Sequence, residues 1–306
     1  TAEIFSSAKL AKEFIKSTTL PIVIKVDGLA AGKGVVICEN LDQAISTVDR
    51  FLVTQEFGAA GNHILVEEFL SGQEVSVFGI TDGNFLSPLI AACDYKRLLD
   101  DNLGPNTGGM GSYSPWEFWN EDVERDIREK IIVPTVRAMA SEGYPYKGVL
   151  YGGLMLTRPG PRVLEFNCRL GDPETQVILP RLTTDLVEIM LAVADGTLGK
   201  TPIEWSADAC VGVVMVPEGY PGAHATGIAV SGIVQAEAHG LVFHAGTRQE
   251  VGNGPAVVTT GGRTLTMVGT GPTIDEARAR AYWGVAQLHL EGGFYRRDIA
   301  VGIGIR

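Results

Sequence analysis

Between residues 8 and 17 the apolar positions Ala8, Leu10, Ala11, Phe14 and Ile15 recur at helical spacing opposite Lys9, Lys12, Glu13 and Lys16. This predicts a short amphipathic helix. The next apolar run, Pro21 to Val26 (PIVIKV), is β-branched, and a turn-like stretch from Asp27 to Gly34 separates it from a second β-branched run, Val35 to Cys38. That order reads as strand, glycine loop, strand. A helix over Leu41 to Leu52 and a strand over Ile64 to Phe69 complete a small α+β unit.

The pattern continues with a strand at Val75 to Ile80, a long polar loop from Asp94 to Ser114, and a helix from Glu121 to Ala140. The acidic first turn of that helix (Glu121, Asp122, Glu124) suits the helix dipole. Two strands, Val149 to Leu156 and Arg162 to Cys168, flank a turn at Arg158-Pro-Gly-Pro161, and Asp185 to Ala194 returns to helical spacing. Beyond it, short strands are expected at Val211 to Val216, Gly232 to Ala236, Ala256 to Thr260 and Thr264 to Gly269, then a helix from Ile274 to Leu290. The expected organisation is three parts, residues 1–69, 70–200 and 201–306, the last a sheet-rich lobe.

Composition narrows the function. The chain has 306 residues, 45% of them apolar, and 25 Lys+Arg against 36 Asp+Glu. This is ample to bury a core without disulfides or a structural metal. The net charge of -11 argues against an extended nucleic-acid interface, which must neutralise many phosphates, but leaves room for a small phosphorylated substrate. No apolar run approaches the roughly 18 residues of a membrane span, and the start TAEIFSSAKLAKEF lacks a signal-peptide core. The four cysteines are scattered, as expected of buried thiols in a reducing cytosol, so a cytoplasmic location is expected. Glycine is in excess, 38 residues, concentrated in a few loops.

Four segments carry candidate chemistry. In Lys25 to Gly34 (KVDGLAAGKG) the glycine spacing and Gly34 depart from a Walker A loop. Strands on both sides instead suggest a hairpin tip, with Gly32 and Gly34 closing over phosphates and Lys25 and Lys33 neutralising charge; a plain surface hairpin is the alternative. In Val163 to Arg169 (VLEFNCR), alternation places Glu165, Asn167 and Arg169 on one face and Leu164, Phe166 and Cys168 on a buried one. A carboxylate and an amide oxygen two residues apart suit Mg²⁺, although a merely solvated strand has the same pattern. The run LGDPETQ places Asp172 and Glu174 just beyond. In the polar loop, Lys96 and Arg97 are placed to grip anionic oxygens and Asn106 to Gly109 to offer backbone donors; a disordered tip is the alternative. Lastly, VEEFLSGQE (Val66 to Glu74) fits a hinge that reads an adenine edge and ribose hydroxyls, or simply an acidic strand end. The five histidines show no zinc spacing.

Taken in order, PIVIKVDGLAAGKGVVI, ILVEEFLSGQEVSVF, DYKRLLDDNLGPNTGGMGSYSP and VLEFNCRLGDPETQVILPRL closely resemble the ATP-grasp core of the phosphoribosylamine-glycine ligases (glycinamide ribonucleotide synthetases). The resemblance continues through Gly212 to Gly222, Phe243 to Thr247, Gly261-Gly262-Arg263 and Tyr295 to Ile299. It implies an α+β ATP-grasp fold, two subdomains clamping ATP, with a carboxy-terminal lobe. The implied reaction is ATP-dependent ligation of glycine to phosphoribosylamine through a glycyl phosphate, in purine biosynthesis. The implied cofactors are ATP and Mg²⁺ or Mn²⁺. The resemblance places Lys25, Gly32, Lys33 and Gly34 at the phosphates, Glu67, Glu68 and Leu70 at the adenine, Glu74 at the ribose, and Glu165 and Asn167 on the metal. Arg169 is expected to stabilise the transition state, Lys96 to hold anionic oxygens, and Asp172 and Glu174 to lie near the amine.

Two departures from the pattern stand out. Lys147 to Tyr151, before the metal strand, has no acid, and Cys93 and Tyr95 stand where Gln and His are expected. Family members also begin with a Rossmann-like domain that helps form the amine site, and the sequence opens partway beyond it, so that domain is expected to be missing or separate. The competing expectations are a nucleotide-binding fragment inactive without that domain, and another ATP-grasp enzyme, such as a carboxylase activating bicarbonate.

Overall fold

The structure, a computed structural model, describes residues 2–30, 34–252 and 254–302. The chain divides into two compact units, Thr1–Ser71 and Gly72–Arg306.

In the first unit the elements follow in the order β1 (Ala2–Phe5), α1 (Ala8–Lys16), β2 (Ile22–Val26), β3 (Val35–Cys38), α2 (Leu41–Val48) and β4 (Ile64–Glu68). The strands form an antiparallel sheet in the order β1-β4-β2-β3. Ser7 and Asn40 cap the two helices through their side-chain oxygens, which satisfies a backbone donor that helix geometry leaves open. Ala11, Ile15, Ala44, Val48 and Phe51 pack on Ile22, Ile24, Ile64 and Val66, burying one face of the sheet. The expected helix to Leu52 is α2 followed by a π-helical turn over Asp49–Val53.

The second unit opens with β5 (Gln73–Thr81), β6 (Ile90–Asp94), the short hairpin β7 (Arg97–Leu99) and β8 (Leu103–Asn106), and β9 (Gly111–Ser114). Helices α3 (Glu121–Ile127) and α4 (Val133–Ser141), joined by one π-helical turn, precede the hairpin β10 (Gly148–Thr157) and β11 (Gly160–Asn167). Then come α5 (Thr175–Ile178), α6 (Leu186–Asp195), β12 (Ala209–Met215), β13 (Ala229–Ser231), α7 (Ile233–Glu237) and β14 (Leu241–His244). The chain continues through β15 (Thr247–Gly252), β16 (Gly254–Thr259), β17 (Leu265–Gly271), α8 (Ile274–Val285) and β18 (His289–Leu290).

One eight-stranded sheet runs through this unit in the order β11-β10-β5-β6-β9-β12-β17-β14, with a four-stranded sheet β15-β16-β13-β18 beside it. The boundary expected near residue 200 is therefore not a break in the sheet, because β12 of the expected third lobe pairs with β9 of the expected core over Val211↔Tyr113. The main core packs Val75, Val77 and Ala91 with Ile127 and Ile132, and Val211, Val213 and Met267 with Ala277 and Ala281 of α8.

Three sequence expectations are corrected. The polar stretch Asp94 to Ser114 is a hairpin and a strand, since Arg97 pairs with Asn106 and Leu99 with Leu103 across β7 and β8. Gly232 has φ 81°, outside the range of a strand, and starts α7 instead. The last helix stops at Val285, because Leu290 pairs with Val230 in the smaller sheet.

Candidate active site

The first unit brings two expected residues together on the central strands of its sheet. β2 and β4 lie antiparallel with Val23 opposite Glu67, so Lys25 and Glu67 share a sheet face, and their charges meet at 2.7 Å. Both are largely buried, which makes this ion pair less screened than a surface one. The strands around the glycine tip are tied down by Val26 N–H to Gly34 O (2.9 Å) and Gly28 N–H to Ala60 O (3.0 Å). Glu68 is exposed at the end of β4, and Leu70 follows it half-buried. Gly32 and Lys33 lie outside the described residues.

In the second unit, register assembles the chemistry. Directly paired residues of neighbouring strands project to the same face. The row Asn167↔Tyr151↔Phe78↔Ile90 and the row Glu165↔Gly153↔Ser76↔Ala92 therefore share one face. Glu74 and Asp94 lie two residues further along β5 and β6 on that face, and Asp94 pairs with Ser112. Part of this face is apolar and covered by Val177 and Ile178 of α5 packing on Phe78, Ile90 and Ala92. The remainder is polar. Gly153 leaves the space that Glu165 occupies, since a Cβ there would sit 3.2 Å from Glu165 Cγ.

Asn167 Nδ2 donates to Glu165 Oε1 at 3.2 Å, which leaves the amide oxygen of Asn167 and the second carboxylate oxygen for a cation. Two oxygen donors on an exposed strand fit a hard ion that completes its shell with water and phosphate. Among the described residues no group of three or more His, Cys, Asp or Glu forms a metal cage. The expectation that the opposite side of this strand is buried is corrected. β11 is a sheet edge, and Phe166 and Cys168 are exposed.

Lys96 forms an ion pair with Glu74. Against the desolvation that would lower it, Asp94 and Glu74 hold the Lys96 ammonium well above its ordinary range. Desolvation pushes the Asp94 carboxyl up to about 7, with Lys96 opposing the rise and Glu174 and Glu74 adding to it. Glu174 is buried and accepts hydrogen bonds from Ser76 Oγ and Tyr151 Oη, both at 2.9 Å. Gly171 permits this: a Cβ there would lie 2.6 Å from Glu174 Cδ. Burial pushes the Tyr151 phenol up, so it stays a donor to that carboxylate.

The expected residues thus divide. Glu74, Lys96, Glu165, Asn167 and Glu174 share one sheet face or reach a group on it. Asp172 is exposed at the turn, with Gln176 Nε2 donating to its Oδ1 at 2.9 Å and Arg263 Nη2 to its Oδ2 at 2.9 Å. Arg169 is exposed beyond the end of β11 and donates to Leu170 O at 2.8 Å. Arg97 donates to Gly104 O at 2.7 Å within its own hairpin.

The backbone donors expected from Asn106 to Gly109 are already engaged: Thr107 N–H on Lys96 O, Gly108 N–H on Tyr220 Oη and Gly109 N–H on Thr107 Oγ1. Sequence reasoning passed over Ser76, Asp94, Tyr151 and Arg263. The first three carry a signal, the period-2 alternation of β5, β6 and β10, which requires knowing the register. Arg263 falls in the Gly261-Gly262-Arg263 run of the resemblance, but its role is not legible there, since its partner Asp172 is 91 residues away.

A family model described as "Phosphoribosylglycinamide synthetase, ATP-grasp (A) domain" matches residues 1–175, and one described as "Phosphoribosylglycinamide synthetase, C domain" matches residues 210–302. The chain is 47% identical over 296 residues to phosphoribosylamine–glycine ligase of Rhizobium meliloti, covering 96% of this chain and 69% of that one. It is 46% identical over 301 residues to the chloroplastic enzyme of Arabidopsis thaliana, covering 96% of this chain but 56% of the relative. The crystal structure of phosphoribosylamine–glycine ligase from Thermotoga maritima aligns with a TM-score of 0.89 at 36% identity, over 98% of this chain and 74% of that one. A biotin carboxylase domain from Hydrogenobacter thermophilus aligns at 0.67 with 14% identity, a likeness of fold alone. The chain spans 56 to 69% of the length of these two sequence relatives. With both family models matched in order and close relatives nearly half identical along almost its whole length, the chain belongs to the phosphoribosylglycinamide synthetase family, the phosphoribosylamine–glycine ligases of the ATP-grasp fold.

Proposed function

We propose that the protein joins glycine to 5-phosphoribosylamine at the expense of ATP, giving glycinamide ribonucleotide, ADP and phosphate. The observation that supports this best, beside the family, is the polar face of the large sheet. There Glu74, Asp94, Glu165 and Glu174 accompany a single ammonium, that of Lys96. Such an excess of negative charge, half-removed from water, suits cationic ligands. Two are required by the reaction: a divalent metal and the ammonium group of glycine.

The chemical difficulty is that a carboxylate is a poor electrophile. Transfer of the γ-phosphoryl group of ATP to a glycine carboxylate oxygen makes an acyl phosphate. The amine nitrogen then attacks the carbonyl carbon, the C–O bond to phosphate breaks, and the nitrogen loses a proton. Holding three anionic groups together is the main task, so positioning and charge neutralisation dominate. Glu165 and Asn167 would hold Mg²⁺ or Mn²⁺, which when bound supplies charge neutralisation at the phosphates. Lys25 is assigned to the nucleotide phosphates and Lys96 to the oxygens of the reacting carboxylate. Glu67, Glu68 and Leu70 are assigned to the adenine and Glu74 to the ribose. Asp94 is assigned to the ammonium of glycine, and Glu174, fixed by Ser76 and Tyr151, lines the same place. Arg169 is assigned to charge developing on the transferred group.

The test is mass-spectrometric detection of product from labelled glycine, MgATP and freshly made phosphoribosylamine, omitting each component in turn. Product that requires all three is expected. Product unaffected by omitting glycine, or product formed only when bicarbonate replaces glycine, would overturn the assignment.

A further inference from the structure

Two loops meet at Arg263, which lies in the carboxy-terminal part of the chain and which no step above uses. Its Nη1 donates to Gly108 O and to Asp172 O, both at 2.6 Å, and its Nη2 donates to Asp172 Oδ2 at 2.9 Å. One planar guanidinium thus ties the glycine-rich loop after Lys96 to the turn that carries Asp172 and Glu174. The surrounding contacts reinforce the junction. Ser112 Oγ donates to Pro173 O at 2.7 Å, and Tyr220 Oη accepts from Gly108 N–H at 3.1 Å. A Cβ on Gly108 would stand 3.0 Å from the guanidinium carbon, so the glycine leaves the room in which Arg263 sits. Arg263 is mostly buried, its side chain 22% exposed, whereas that of Asp172 is 48% exposed. The rigid side of the pair is the arginine.

We infer that Arg263 is a positioning residue for the ligation: it acts through Asp172 and Gly108, fixing the loop that follows Lys96 against the turn that carries Glu174. A planar fork donating to two carbonyls and a carboxylate sets direction as well as distance, which a lysine cannot reproduce. Asp172 accordingly serves as the anchor of the turn rather than as a free base, since both its oxygens are occupied. The inference rests on the function proposed above for its kinetic part only.

The experiment compares the protein with R263K, R263M, G108A and D172N by steady-state kinetics and by amide hydrogen exchange. R263M is expected to lower kcat/KM for glycine and for the amine by about 100-fold, the cost of a misplacement near 1 Å, with KM for ATP unchanged. R263K should recover part of the loss, G108A should reproduce it, and R263M/D172N should be no worse than the worse single variant. Exchange should rise together in residues 107–113 and 170–176. Unchanged kinetics in R263M, a matching rise in KM for ATP, or additive losses would overturn the inference. If the wild-type protein makes no glycinamide ribonucleotide, the reaction assigned above fails, and exchange alone decides: joint loosening supports Arg263 as the tie, and unchanged exchange overturns it.

Discussion

Glu165 keeps its carboxylate on the polar face because its neighbour across the hairpin, Gly153, has no side chain there, and Asn167 holds one of its oxygens. Replacing Glu165 by Gln retains the shape and removes the charge. Turnover is expected to fall at least about 10-fold and to need more metal for half-activity, while nucleotide affinity measured without metal stays the same. Metal titrations of activity, compared with equilibrium binding of ADP, check this. Asp94 sits three strands away under a different constraint, with desolvation raising its carboxyl to about 7. The ionised form attracts an ammonium, and that form grows as pH rises through this value. KM for glycine is therefore expected to fall between about pH 6 and pH 8, and D94N should show a higher and pH-independent KM. A wild-type KM that rises over the same interval would remove Asp94 from the glycine site.

At the scale of elements, much of the molecule is legible in the sequence wherever local physics decides. The helix expected from Asp185 to Ala194 is α6, and Asp185 caps it by accepting from Val187 N–H at 2.7 Å and Glu188 N–H at 3.2 Å. The pairing of β2 with β3 follows from the β-branched runs on either side of the glycines, and the shared face of Glu165 and Asn167 from alternation. What was not legible depends on partners distant in sequence. Helical periodicity runs on through Leu288 and Leu290, yet the chain leaves α8 because the smaller sheet offers Leu290 a strand to pair with. The loop after Asp94 looks unstructured because the groups that hold it come from far along the chain. Fully buried Arg296 stacks on Tyr95 and donates to Arg97 O at 3.0 Å and Asn102 Oδ1 at 3.1 Å, its charge met by Asp298 at 2.6 Å. Thus the resemblance at Tyr295 to Ile299 has a structural content: that segment shapes the loop bearing Lys96.

Across the whole molecule, the divisions read from the sequence and those of the structure answer different questions. The break at Ser71/Gly72 falls near the expected end of the first part, where compact packing ends. Near residue 200 the sequence pattern shifts, and the second family model begins at residue 210, but the backbone ladder continues from β9 to β12. The carboxy-terminal part therefore completes the sheet and supplies Arg263 and Arg296 to the loop after Lys96. No helix among the described residues is long and apolar enough to cross a membrane. The four cysteines are free, with Cys38 and Cys210 buried as expected but Cys168 exposed.

In the proposed reaction ATP activates glycine by phosphorylating its carboxylate on this face of the sheet. Glycine labelled with ¹⁸O in both carboxylate oxygens, turned over with MgATP and phosphoribosylamine, tests it most directly. Each inorganic phosphate released is expected to carry one ¹⁸O, because the oxygen that joined carbon to phosphorus leaves with the phosphate. Product accompanied by unlabelled phosphate would contradict it.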